Sequence, residues 1–431
     1  MQKGMLRLSI LISTLLTLIL TACGSTSPAT TQPDASATST KESLYVVDGS
    51  LSSANVYTGQ RIVEFHPGST AQPVVLPAGL YSMDHKNIYT ATPQNGQTTI
   101  TVTNAHTGVT TRTFSIPGNY TTAGEAYTSS VLSANGRWLA LRQQDQGDTQ
   151  STIVLVDTQA GKLAKTIQLP GDYDLDAISP DGNKVYVLEQ IDQAGHYHVR
   201  LFEVSENQLV QGYITDKVAP RENMYGAALS RQMASDGTIA YTLYTNTAQN
   251  KAFVHILPLA SDIYIARCID LPVGKSPDFL RYYTLALSAD GTTLYAANGA
   301  LGVVTSISLN GDQVFEDNII KTIHFNAGNV TTSDKSAGLY NGAVLSPDQN
   351  MLYFVGAHGI WAANTHDLKV KKNYATQQEF TGIAMSNNGQ IIYAVYPTNG
   401  ITMVNIASGQ SQRVAQSPAH TPWGIAWIDS D

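Results

Sequence analysis

The run Asp172-Tyr173-Asp174-Leu175-Asp176 sets carboxylates at the first three ligand spacings of a calcium loop. Hard oxygen ligands at alternate positions suit that cation, but the loop also needs a glycine at its sixth position and a bidentate glutamate at its twelfth. Ala177 and Asn183 stand there, so the run reads as a solvated face at the start of a strand. His196-Tyr197-His198 puts two imidazoles on one face of a strand, short of the third or fourth ligand that zinc requires. Gly274-Lys275-Ser276 has the ending of a phosphate loop, yet Ile269 occupies the place of its first glycine and no helical pattern follows. The sequence contains no Gly-x-Ser-x-Gly elbow and no His-Glu-x-x-His motif. Ser, His and Asp are plentiful, but a catalytic triad is a spatial arrangement that composition cannot show. Catalytic residues therefore stay unassigned, and neither a metal nor a cofactor is expected.

The elements that would position any site come from an internal repeat. A short apolar strand leads into Ser-x-Asp/Asn-Gly, and a second strand carries an aromatic residue five positions beyond the acid. The pattern is clear at Ser179-Pro180-Asp181-Gly182 with Tyr186, Ser288-Ala289-Asp290-Gly291 with Tyr295, Ser346-Pro347-Asp348 with Tyr353, and Ser386-Asn387-Asn388-Gly389 with Tyr393. Weaker copies are Ser82, Asp84 and Tyr89; Ser133, Asn135 and Gly136 with Ala140; and Asp236-Gly237 with Tyr241. The mean period is about 51 residues. Asp-Gly and Asn-Gly supply the positive φ angles of a tight hairpin, and the Ser hydroxyl can bond turn amides. Third strands such as Thr152 to Asp157, Val303 to Leu309 and Ile401 to Ile406 come next, often with a fourth. Four short strands per repeat, without helical periodicity, predict one blade of a β-propeller.

The chain ends set the blade number. Gly424-Ile425-Ala426-Trp427 matches the inner strand Gly382-Ile383-Ala384-Met385 and stops where its turn should begin. Leu44-Tyr45-Val46-Val47-Asp48-Gly49 matches the second strand Leu294 to Gly299 and lacks a predecessor. Paired, the two ends complete one more blade and leave no free sheet edge at the junction. The fold class expected is thus all-β: an eight-bladed propeller of four-stranded blades, or seven blades if Arg61 to Pro77 forms no strands.

The Ser-Pro-Asp-Gly turn, the Leu-Tyr after it, and third strands ending Val156-Asp157 or Val404-Asn405 resemble YVTN-type β-propeller repeats from about Leu44 to Trp427. The literal Tyr-Val-Thr-Asn string is absent, and Ala140 and Gln349 depart from the pattern. The resemblance implies architecture; propellers similar to this one include lactone hydrolases and cofactor-bearing dehydrogenase subunits, so it does not fix an activity.

Counting six positions back from each turn Ser gives Tyr127, Tyr173, Tyr282, Tyr340 and Phe380; Tyr225 precedes Ser230 by one step fewer, and Trp423 falls near the same place in the closing strand. These residues begin the inner strands and should encircle one mouth of the central channel. There they could stack on a flat or cationic ligand, or seal the seams between blades. Arg221, Arg281 and His420 lie in the loops leading in, with Glu125, Asp172, Asp174, Glu222, Asp278 and Glu379. The mixed charge favours a polar or zwitterionic ligand, or an envelope protein or glycan partner, held without catalysis. The competing expectation is a lactonase in which Arg221 or Arg281 works with Glu222 or His420.

Of the 431 residues 42% are hydrophobic and 13% charged, and the formal net charge is −8. The apolar content is enough for a large core, while the acidic balance excludes a basic nucleic-acid footprint. At the N-terminus Lys3 and Arg7 precede the apolar run Leu8 to Leu20, which ends in Leu20-Thr21-Ala22-Cys23 and resembles a bacterial lipobox. Thirteen helical residues reach only about 20 Å, short of the ~30 Å hydrocarbon core. The resemblance implies cleavage before Cys23 and lipid attachment to its sulfur, which would anchor the protein to a membrane on the extracytoplasmic side. Residues 24–43 are rich in Ser, Thr, Ala and Pro and read as a flexible tether. The expected organisation is a signal peptide at 1–22, a tether at 23–43 and one propeller domain at 44–431. Cys268, the only other cysteine, reads as a small hydrophobe.

Overall fold

A computed structural model describes residues 42–51, 57–122, 129–143, 149–192, 195–220, 223–309, 319–328, 330, 339–398, 400–414 and 417–430. The expected leader, Cys23 and residues 24–41 of the tether lie outside the described residues, whereas Glu42 and Ser43, expected in the tether, are buried in the first strand of the propeller. Eight separate sheets, antiparallel except where the short strand Thr215–Asp216 pairs parallel with Ile265–Asp270, succeed one another along the chain and form an eight-bladed β-propeller. Blade 1 contains Leu80–Tyr81, Asn87–Gln94, Gln97–Asn104 and Thr110–Pro117. Blade 2 contains Ser130–Leu132, Trp138–Arg142, Gln150–Asp157 and Lys162–Pro170. Blade 3 is built from Tyr173–Ile178, Lys184–Gln190, His196–Glu203 and Gln208–Leu209; blade 4 from Ala227–Met233, Ile239–Asn246, Lys251–Pro258 and Ile265–Asp270. Blades 5, 6 and 7 begin with the inner strands Tyr283–Leu287, Ala343–Leu345 and Gly382–Met385.

Blade 8 joins the chain ends. Its inner strand Pro422–Ser430 pairs with Glu42–Leu51, Tyr45 opposite Trp427 and Val47 opposite Gly424. The sheet continues through Tyr57–Phe65 and Val74–Pro77, so the stretch from Arg61 to Pro77 does form strands and the seven-bladed alternative falls away. A buried carboxylate fastens the junction. Asp48 Oδ2 accepts from Arg61 Nε at 2.9 Å and Nη2 at 2.6 Å, while Oδ1 accepts from the backbone N–H of His420 at 2.9 Å and Thr421 at 2.6 Å. Glu42, also buried, accepts from Asn387 N at 2.7 Å and the Tyr393 hydroxyl at 3.3 Å, tying blade 8 to blade 7.

The repeated turn works through its side chains. In blade 3 the Ser179 hydroxyl donates to Asp181 Oδ1 at 2.5 Å and accepts from Lys184 N at 3.0 Å, and Asp181 Oδ1 accepts from Asn183 N at 2.9 Å. Gly182 closes the turn at φ +76°. The Ser-to-acid bond recurs at Ser82–Asp84, Ser133–Asn135, Ser288–Asp290, Ser346–Asp348 and Ser386–Asn388. Blade 4 departs: Ala234 occupies the Ser position, and the Thr238 hydroxyl donates to Asp236 instead, at 2.7 Å. His85 in blade 1 and Gln349 in blade 6 take the positive φ angle where the other turns have glycine.

Aromatics beyond these turns are buried and bridge neighbouring blades. The Tyr186 hydroxyl donates to the carbonyls of Pro258 and Leu259 in blade 4 at 3.0 and 3.2 Å. Burial of each such ring contributes about 2 kcal/mol or more, spread evenly round the ring of blades. Consecutive inner strands pack against one another from blade 1 to blade 3 and from blade 4 to blade 8, whereas those of blades 3 and 4, and of blades 8 and 1, approach less closely.

Candidate functional site

The aromatics expected at the channel mouth mostly fill space. Tyr173, Tyr282 and Phe380 are buried, and each joins an apolar cluster between sheets. Tyr173 donates its hydroxyl to Glu189 Oε1 at 2.8 Å, and Arg200 donates to the other oxygen at 2.6 Å. Burial pushes the Tyr173 phenol up to about 12; for Glu189 burial is outweighed by the bonds from Arg200 and Tyr173, which lower its carboxyl. Tyr340, which precedes blade 6, meets Trp423 of blade 8 with ring centroids 5.4 Å apart and shares a 3.0 Å hydroxyl contact with Tyr81 of blade 1. Gly424 leaves the space its ring occupies. That side chain therefore packs against blades 8 and 1.

The remaining candidates do not converge. Arg281 sits over the Tyr282 ring at 5.2 Å where blade 5 begins, and His420, exposed, offers its backbone amide to Asp48 where blade 8 begins. Tyr127 and Arg221 lie outside the described residues, as do Glu125 and Glu222. Among the described residues no group of three or more His, Cys, Asp or Glu is placed to hold a metal ion. Cys268 is partly buried, its sulfur 3.9 Å from that of Met224.

Tyr225 illustrates how register decides a site. It pairs with His196 at the edge of blade 3 and is not the rim residue of blade 4, because the blade 4 turn begins at Ala234 and not near Ser230. Counting six back from Ala234 gives Ala228, which pairs with Tyr244 just as Tyr173 pairs with Glu189. A methyl group thus stands where other blades place an aromatic ring.

A pocket of about 230 Å³ occupies the space left at this seam. Asp174, Leu175 and Asp176 come from the inner strand of blade 3, and Leu188, Gln190, Gly195 and Tyr197 from its second and third strands. Gly226, Ala227, Ala228, Arg231 and Tyr244 close it from blade 4. The pocket lies at the end where the inner strands begin, the mouth that the repeat pattern singles out.

Asp176 is the residue whose position matters most. The pairing of blade 3 skips it, Leu175 lying opposite Val187 and Ala177 opposite Tyr186, so it is the extra residue of a bulge. A bulge re-aims its side chain out of the strand's alternation. The carboxylate is only 3% exposed. Arg231 donates to Asp176 Oδ1 and, at 2.6 Å, to its backbone oxygen, while the Arg231 Nε–H reaches Thr242 Oγ1 at 2.8 Å. Asp176 Oδ2 is buried with no hydrogen-bond partner. A stranded acceptor of this kind costs about 1–3 kcal/mol.

Around it, Arg142 ties Asp172 at 2.7 Å and Asp174 at 3.3 Å. Burial raises the Asp174 carboxyl, partly countered by Arg142. Tyr197 and Tyr244 stand behind Asp176 with phenols pushed up by burial, and His255, fully enclosed, is driven down to about 4 by the same loss of solvent.

An eight-bladed propeller with a largely apolar pocket between blades 3 and 4 defines the class. No family model matches the sequence, and no curated protein matches it either. Among solved structures, dihydro-heme d1 dehydrogenase NirN in complex with DHE is similar at TM-score 0.51 and 14% identity, over 91% of this chain and 75% of that one. A putative 6-phosphogluconolactonase from Bacteroides fragilis NCTC 9343 aligns at TM-score 0.41 and 13% identity, over 81% and 99% of the two chains. The Swd1 β-propeller domain from Myceliophteria thermophila aligns at TM-score 0.41 and 11% identity, over 79% and 99%. At such identities the likeness concerns fold alone.

Proposed function

We propose that the protein is a lipid-anchored, extracytoplasmic β-propeller of YVTN type that binds a small polar ligand at the mouth of its channel and performs no chemistry on it. The observation that supports the binding reading is the pocket of about 230 Å³ between blades 3 and 4, where Asp174, Gln190 and Arg231 stand among apolar side chains. The anchor rests on Cys23 and the apolar run before it. Of the residues a lactonase could use, Arg281 and His420 precede blades 5 and 8 with two whole blades between, and Arg221 and Glu222 lie outside the described residues.

Two measurements test this. Cys23→Ser should move the protein from the membrane fraction to the soluble extracytoplasmic fraction, and retention on the membrane would refute the anchor. A lactone panel should show no turnover; hydrolysis that disappears with Arg281→Ala would replace the binding reading by the enzymatic one.

A further inference from the structure

A second pocket, of about 320 Å³, opens at the seam between blades 5 and 6. Gly299 and His358 come to it from the loops after the second strands, and Asn326 and Thr376 from the ends of the fourth, so it lies where the inner strands begin. One wall is a row of side chains across blade 6. Phe354, Trp361 and Asn373 are paired neighbours on the strands Met351–Val355, Ile360–Asn364 and Val370–Tyr374, and so share one face of the sheet. Phe325 of blade 5 packs on that row, its ring centroid 4.8 Å from that of Trp361, and holds the indole in place. Glycines make the room. A Cβ on Gly299 would come within 2.7 Å of the indole Cδ1 and one on Gly356 within 2.5 Å of Nε1, while Gly328 faces open space.

The hydrogen-bonding groups of this pocket are left open. The Trp427 N–H donates to Asp429 at 3.1 Å, but that of Trp361 has no acceptor among the described residues and, unlike that of Trp138, is not shut away from solvent. Asn373 has its carbonyl oxygen enclosed beside Gly359, so the amide nitrogen is the end left to face the pocket. Asn326 uses its oxygen to accept from Gly328 N at 2.9 Å and likewise presents its nitrogen. The lysines nearby are engaged elsewhere: Lys321 donates to the His366 carbonyl at 3.1 Å, and Lys372 lies 4.4 Å over the Tyr374 ring. We infer that this pocket binds one neutral pyranose sugar, its hydroxyl oxygens accepting from Trp361, Asn326 and Asn373 and its C–H face lying along the indole. Neutral N–H donors satisfy hydroxyl oxygens, whereas a carboxylate would lose its water without gaining a counter-charge from the described lining. An open-chain polyol lacks the flat apolar face that the ring offers the indole. The volume equals roughly ten waters, room for a single hexose.

Saturation-transfer NMR and titration calorimetry on the full chain test the inference. The probes are D-glucose, D-galactose and N-acetyl-D-glucosamine as neutral rings, with D-glucuronate and D-sorbitol as controls. At least one neutral ring should bind with a dissociation constant of about 1 mM, and about tenfold or more tightly than either control. Trp361→Phe, which keeps a ring and loses the N–H, should weaken that binding by about tenfold. Thr376→Phe, at an exposed position on the rim, should block the pocket while circular dichroism and Tm stay unchanged, and it serves if Trp361→Phe unfolds. Glucuronate or sorbitol binding as tightly as the best neutral ring overturns the ligand assignment. Sugar binding that survives Thr376→Phe but disappears with Ala227→Phe would place the sugar between blades 3 and 4 and overturn this site, as would binding that survives all three substitutions. If no neutral ring binds at about 10 mM, the inference fails.

Discussion

The junction of the chain ends offers the sharpest test of how this ring holds together. Asp48 is 2% exposed and accepts four hydrogen bonds, two from Arg61 and two from the backbone amides of His420 and Thr421. In Asp48→Ala both amides lose their acceptor at once. Each buried N–H left unmade costs about 1–3 kcal/mol. The Arg61 side chain is 34% exposed and recovers water, so it adds little. The expected loss is about 3 kcal/mol. With an unfolding entropy of about 2.1 cal/mol/K per residue over roughly 390 residues, that corresponds to a drop in Tm of about 4 °C. Arg61→Ala should cost less, about 1 kcal/mol, because the carboxylate keeps its two amide donors. Thermal melts followed by circular dichroism measure both, and limited proteolysis should release the segment from Pro422 onward faster in Asp48→Ala. An Asp48→Ala shift below about 1 °C, or a larger effect from Arg61→Ala, would refute the claim that this carboxylate seals the ring through the amides.

Gly182 and Gly291 share the turn and the positive φ, +76° and +70°, but a Cβ at Gly182 would come within 2.5 Å of the Trp138 indole while Gly291 faces open space. Gly291→Ala should cost about 1–2 kcal/mol from backbone strain and Gly182→Ala about 1–3 kcal/mol more, and equal denaturant midpoints would contradict this. His255 is neutral in the fold with its pKa near 4, against about 6.5 when unfolded, so acidification loads a proton onto the unfolded chain alone. Stability should therefore fall as pH drops from about 6.5 to about 4, by about 3 kcal/mol more in the native protein than in His255→Gln; parallel urea curves would refute it. Replacing the buried pair by Asp176→Leu with Arg231→Met should leave stability unchanged or raise it by about 1–4 kcal/mol in urea melts, whereas strong destabilisation would make the pair structural.

The legible and illegible parts of the sequence divide by range. The turns are readable because their determinants lie within five residues: a Ser hydroxyl, an acid oxygen and a glycine enforce the hairpin locally. Ring closure is readable because Leu44 to Gly49 and Gly424 to Trp427 carry complementary halves of that pattern. Blade 4 is harder, since Ala234 and Thr238 replace the usual Ser and Ser230 offers a false register. Asp236-Gly237 is the signal that fixes the turn, and counting from it yields Ala228.

Asp176 marks the limit of such counting. Alternation along 172–176 makes it one of three equivalent acids on a wet face, and only the bulge between Leu175 and Ala177 turns it inward to meet Arg231. A bulge is set by how two strands settle against each other and against the next sheet, a non-local property. The same holds for the small residues opposite. Ala227 and Ala228 look like weak strand formers until the ring places them beside Tyr197 and Tyr244. In a ring of similar blades each seam is an almost independent interface, so a pocket can open at one end of a seam whose remainder, Tyr186, Leu201, Phe253 and Leu257 among others, is packed and apolar. The proposed binding site sits where the repeat is broken: the blade that lacks both the turn serine and the rim aromatic is the one that borders the pocket.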